Sequence, residues 1–248
     1  MPHIHLDNDL PGIRGLFAFS PATAAPMSAL AQVLLHDENT LSRADRELIA
    51  TYVSYQNDCR YCQTSHGALA AYHLIGDEEL VRQVKQNFET APISEKLKAL
   101  IAIAGKVQQS GKSVVAGDIE RARRHGATDQ EIHDTVLIAA AFCMYNRYVD
   151  GLGTFAPADI ESYRERAAGV AVNGYMKLVR DLRAAGPQND DTNGTDWQHS
   201  SACRTDRGLR RQLDPRVRSH RRACVAGYHP KLRGYRITRD HRRRANQA

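Results

Sequence analysis

Two cysteines three residues apart, Cys59 and Cys62, are followed four residues later by His66. On a helix advancing about 100° per residue, Cys62 lies roughly 60° and His66 roughly 20° from Cys59. One helix face then carries two thiols and an imidazole, with His73 in the same arc and Tyr61 turned roughly the other way. This grouping suits dithiol redox chemistry. The reactive form of cysteine is the thiolate, which a helix N-terminus or a nearby imidazolium favours. Cys59 is expected in the first turn behind an Asn57-Asp58 cap, where unpaired backbone N–H groups stabilise negative charge, with Asp58 opposing a second anion. Cys62 gains less from the helix but has His66 at i+4, and an adjacent base activates a nucleophilic thiol. A second thiol at this spacing can resolve a sulfenic acid on the first as an intramolecular disulfide. On these grounds alone, which thiol attacks stays open.

Competing readings of the same residues are an inert pair of core cysteines and a zinc site. Zinc would take Cys59, Cys62, His66 and a fourth ligand such as His73 or Glu47, but structural zinc usually brings a second paired knuckle, absent here. A thioredoxin-like domain requires βαβ patterning around the motif, also missing. Cys143 lies in an apolar run and reads as a core residue. Cys203 and Cys224, with His199, His220 and His229, fit no metal-binding spacing.

The elements that must position the thiols read as helices. Ser42 caps a run, 42–55, in which Leu48, Ile49, Tyr52 and Val53 recur at helical spacing. The segment 59–75 follows and Gly76 ends it. The run 77–88 places its acids in the first turn. Pro92 and Ser94 open the run 94–109, which Gly111 closes. Thr128 to Glu131 form a capping box before 132–149, apolar nearly all round and therefore expected at the centre of the fold. Alternating strand patterns are absent, so the predicted fold class is all-α. A weak echo, Ser42-(x3)-Arg46-x-Leu48-Ile49-Ala50 against Ser94-(x3)-Lys98-x-Leu100-Ile101-Ala102, fits two related helical units or recurring cap usage.

Leu41-Ser42-(x3)-Arg46-Glu47-Leu48-Ile49-Ala50, then Val53-Ser54, Asn57, Cys59-x-x-Cys62 and His66, resemble the alkyl hydroperoxidase D-like core of the carboxymuconolactone decarboxylase family, in its peroxidase-related branch. The stretch Asn146 to Leu152 is similar too, and the resemblance covers roughly 10–180. It implies an all-α subunit, a homo-oligomer, and a peroxiredoxin-type reduction of small hydroperoxides by a dithiol donor of lipoyl or thioredoxin-like type. No cofactor or metal is called for. By position, Cys62 is implied to become the sulfenic acid. Cys59 donates a proton and then resolves it as a Cys59–Cys62 disulfide, and His66 with Glu47 relays protons. Periodicity alone would leave Glu47, beside an arginine on another helix, as a solvated charge. One departure is Tyr61, which stands where the hydroperoxidase pattern has a histidine and implies a shorter relay or a different reductant. The decarboxylase branch does not rely on a cysteine pair, so Cys59 and Cys62 argue against a lyase. A redox sensor that oxidises once, without turnover, is the alternative from another class.

The chain of 248 residues has a formal net charge of +6, unevenly distributed. Residues 186–248 hold 15 Lys and Arg, 14 of them Arg, against 6 acids, which leaves 1–185 at −3. Only 6 Leu, Ile, Val or Phe occur in that C-terminal stretch, too few for a core. The sequence thus predicts a helical domain over 1–185 and a disordered Arg-rich tail. The tail reads either as a frameshifted or read-through end of a GC-rich gene or as a basic arm making weak, non-specific nucleic-acid contacts. No run of about 18 apolar residues exists, so no membrane span is expected. The N-terminus has no basic or apolar signal region, and a cytoplasmic location is expected.

Overall fold

The computed structural model describes residues 1–184. They form α1 (Ile13–Phe19), α2 (Pro21–Ala31) with a π-helical turn at Gln32–His36, α3 (Arg43–Gln56), α4 (Arg60–His73), α5 (Glu78–Asn87), α6 (Glu95–Gln109), α7 (Ala116–Arg124), α8 (Asp129–Gly151), α9 (Glu161–Asn173) and α10 (Met176–Ala184). No strand occurs among the described residues, so the fold is all-α. No described helix is long and apolar enough to cross a membrane. The expected disordered, Arg-rich tail over 186–248 lies outside the described residues.

The sequence signals for helix starts correspond to real caps. The Ser42 and Ser94 hydroxyls accept from the Asp45 and Leu97 N–H groups, and the Asp77 carboxylate accepts from that of Leu80. Thr128 and Glu131 form the reciprocal capping box, at 3.1 and 2.8 Å. Arg46, though almost wholly buried, donates to the carbonyls of Leu34 and Asp37 at 3.0 and 2.9 Å, and so satisfies backbone left open around the π-helical turn.

The helix at the centre is α3, not α8. It packs against α4, α5, α6 and α8, and ten of its fourteen residues are buried. Leu48, Ile49, Val53, Leu100, Ile101, Ile138 and Phe142 lie in the core around it, each 0–1% exposed and each contributing about 1.5–3 kcal/mol. Against expectation, α8 keeps one side open: Leu137, Ala140 and Met144 are exposed there. Apolar composition all round does not distinguish a helix buried on every side from one that leaves an apolar stripe uncovered.

Where α3 turns into α4, the expected Asn57-Asp58 cap is also corrected. Asn57 ends α3, Asp58 takes a left-handed φ of 56°, and Cys59 itself occupies the N-cap of α4. The Asn57 side chain is drawn elsewhere. It donates to Asn146 of α8 at 2.7 Å and accepts from Gln108 at 2.9 Å, while Asn146 donates to Ser54 at 3.1 Å. A good capping residue was thus recruited to pin the corner that delivers the first thiol.

Candidate active site

Cys59 and Cys62 are both buried and both present as free thiols. Their settings differ. Cys62, in the first turn of α4, lines a cavity of about 480 Å³, whereas Cys59 is not among the lining residues. Hydrogen bonding to Cys62, reinforced by burial, pushes the Cys59 thiol well above its ordinary value. Asp150 of α8 reaches the same sulfur. Burial raises its carboxyl above the usual range, while the hydrogen bond with Cys59 pulls the other way.

His66 stands one turn beyond Cys62 and also lines the cavity. Its Nδ1–H donates to Oε2 of Glu47 at 2.8 Å. This leaves Nε2 as the nitrogen able to accept a proton. Glu47, from α3, is only 2% exposed and is no solvated surface charge. Its other oxygen, Oε1, accepts from the Tyr175 hydroxyl at 2.5 Å. The carboxylate therefore has a donor on each oxygen, the condition for keeping a charge inside a protein. Burial and the Glu47 charge hold the Tyr175 phenol well above its ordinary value, so it serves Glu47 as a fixed donor. The imidazole is clamped by Tyr175, stacked at 6.0 Å, and by the edge of Phe142 at 4.6 Å.

Sequence reasoning missed Tyr175. It lies in the turn between α9 and α10, far along the chain from Glu47, with no periodicity to mark it. The turn is built by Gly174, whose left-handed φ of 72° suits a residue without Cβ. Gln32 then accepts from the Tyr175 N–H at 2.8 Å.

Tyr61, expected to turn away from the thiols, is 4% exposed and lines the same cavity. It packs on Tyr163 at 6.0 Å and under Gly12, where a side chain would run into its ring. His73 is half-buried, does not line the cavity, and has its basicity lowered by burial. Among the described residues no cluster of three or more His, Cys, Asp or Glu could hold a metal ion. Cys143 is half-buried at the edge of the core, near Asn57 and Gln108.

A helix-borne thiol pair at a cavity wall, backed by a carboxylate–imidazole–phenol chain inside an all-α domain, defines a protein of the alkyl hydroperoxidase D-like fold. Residues 21–91, which hold Glu47, both thiols and His66, match the carboxymuconolactone decarboxylase family. This bears out the resemblance read from the sequence. It is similar to the crystal structure of an uncharacterized peroxidase-related protein from Silicibacter sp. TM1040. The two are 28% identical, with a TM-score of 0.57, over 62% of this chain and 78% of that one. It is also similar to an uncharacterized peroxidase-related protein from Ralstonia eutropha JMP134, described as an alkylhydroperoxidase AhpD core. There the identity is 27% and the TM-score 0.57, over 62% of this chain and 82% of that one. No curated protein matches the chain.

Proposed function

We propose that the protein is a thiol-dependent peroxidase that reduces small organic hydroperoxides through Cys62 and Cys59. The observation that carries this reading is the asymmetry of the pair: Cys62 faces the cavity beside His66, while Cys59 is withheld from it and kept protonated. The Cys62 thiolate attacks the terminal peroxide oxygen, the O–O bond breaks, and Cys62 becomes the sulfenic acid. The departing alkoxide takes a proton and leaves as the alcohol. His66, held through Nδ1 by Glu47, accepts the Cys62 proton at Nε2 and returns it to that alkoxide. Cys59 then attacks the Cys62 sulfur, its proton leaves with the hydroxyl as water, and a Cys59–Cys62 disulfide forms. A dithiol donor, of lipoyl or thioredoxin-like type, reduces the disulfide and is itself oxidised to one.

The homo-oligomer implied by the resemblance would cover the open apolar stripe of Leu137, Ala140 and Met144. The test of the peroxidase reading is steady-state turnover of an alkyl hydroperoxide with a panel of dithiols, together with a sulfenic-acid probe on Cys59→Ser. Turnover with a dithiol and labelling at Cys62 are expected. Oxidation that occurs once and does not cycle with any dithiol would replace the peroxidase by a redox sensor. Labelling absent from Cys62 would refute its assignment as the thiol that becomes the sulfenic acid.

A further inference from the structure

The cavity over Cys62 has a second set of groups that the thiol chemistry does not use. Arg14 of α1 and Arg166 of α9 both line it, half-buried. Neither guanidinium has a hydrogen-bond or ion-pair partner among the described residues. The neighbouring Arg164 shows the contrast, since it takes Glu78 at 2.8 Å and Glu161 at 3.1 Å. Arg14 and Arg166 are close enough to feel one another: burial first, then the Arg166 charge, pushes Arg14 below its ordinary value, with only Tyr61 opposing. Of the other charges on the lining, Lys177 and Asp181 neutralise each other at 2.6 Å, and Glu165 is exposed at the rim. The hydroxyls of Tyr61 and Ser65 are buried in the protein without a hydrogen-bond partner, and both residues line the cavity. Two unpaired cations therefore share one chamber with an apolar wall of Ile13, Phe17, Met27, Phe142 and Leu178, the two hydroxyls being closed off from its open space. Two guanidiniums offer the planar, multiple-donor forks that suit an acceptor-rich carboxylate.

We infer that this chamber binds a carboxylate-bearing, otherwise apolar molecule, its carboxylate between Arg14 and Arg166. The apolar wall takes the chain. Resting on the peroxidase reading, the substrate class becomes a carboxylic acid that carries a hydroperoxide group, with the peroxide presented to Cys62 and His66. Both arginines lie outside the segment that matches the family, 21–91.

The experiment uses calorimetry on the full chain with decanoate and with 1-decanol, which differ in the anion and not in chain length. Decanoate is expected to bind at least about tenfold more tightly, the advantage shrinking as salt is raised. Arg14→Gln and Arg166→Gln are each expected to lower decanoate affinity about tenfold, towards that of the alcohol, and Arg14→Lys to retain part of it. Equal affinities for acid and alcohol in the unaltered protein would overturn the inference without recourse to any variant. Unchanged decanoate affinity in the doubly substituted protein would overturn it as well. Because binding is read without turnover, the two readings fail separately. Decanoate binding with no hydroperoxide consumed removes the peroxidase and keeps the anion site, and turnover with indifferent binding does the reverse.

Discussion

Replacing Glu47 by glutamine changes one oxygen to an NH2 group at nearly constant volume, in a position where both oxygens are in use. In the native site Oε2 accepts from His66 Nδ1–H at 2.8 Å and Oε1 from the Tyr175 hydroxyl at 2.5 Å. A glutamine offers one acceptor and one donor. If its oxygen faces Tyr175, its NH2 faces Nδ1. The imidazole must then accept at Nδ1 and carry its proton on Nε2, which removes the base from the cavity side. If its oxygen faces His66, the tautomer survives but the hydrogen bond is no longer charge-assisted. A bond to a charged partner contributes about 1.5–3 kcal/mol and a neutral one about 0.5–1.5, so the imidazolium formed during proton transfer loses about 1–2 kcal/mol. At 1.36 kcal/mol per tenfold, peroxidase turnover should fall by about ten-fold, and by more if the tautomer flips. The assay is steady-state peroxide consumption with a dithiol donor. It is paired with a nitrogen NMR spectrum that reads the His66 tautomer and with a thermal melt that confirms the variant is folded. Tyr175→Phe should lower the rate less, since it leaves the charge and the His66 bond in place. A folded Glu47→Gln protein with native turnover and an unaltered His66 tautomer would refute the relay.

Peroxide treatment should join Cys59 to Cys62 and leave Cys143 as a thiol, because Cys143 lies beside Asn57 and Gln108 and does not line the cavity; peptide mapping that found a Cys62–Cys143 bridge would count against this. Thr128→Ala removes the hydroxyl of the α8 capping box and should lower stability by about 1 kcal/mol, read from denaturant midpoints at constant slope. A protein cut after residue 185 should keep its melting temperature and peroxidase rate, since every residue of the proposed site lies before Ala184. Loss of either would show that the C-terminal stretch belongs with the folded body.

The thiol pair, His66 and the helix starts were readable because they depend on short spacings and on local backbone chemistry. Ser42, Ser94 and Thr128 satisfy N–H groups three residues away, and nothing distant competes for their side chains. Asn57 was misread for the opposite reason. Its composition suits a cap, but Asn146 and Gln108 claim its side chain from across the fold. Glu47 could be placed beside His66 only through the family resemblance, because helix periodicity carries no information about which helices meet. Tyr175 gave no signal in either way. Arg14 and Arg166 were equally invisible, for an arginine without a partner looks in the sequence like any other arginine.

Tyr175 immediately precedes α10, and α10 lays Lys177, Leu178 and Asp181 along the wall of the Cys62 cavity. The residue that donates to Glu47 is therefore joined by the backbone to that wall. A substitution that shifts α10 would move the Tyr175 phenol relative to the Glu47 carboxylate, so the shape of the cavity and the setting of the Glu47–His66 pair are linked through one turn.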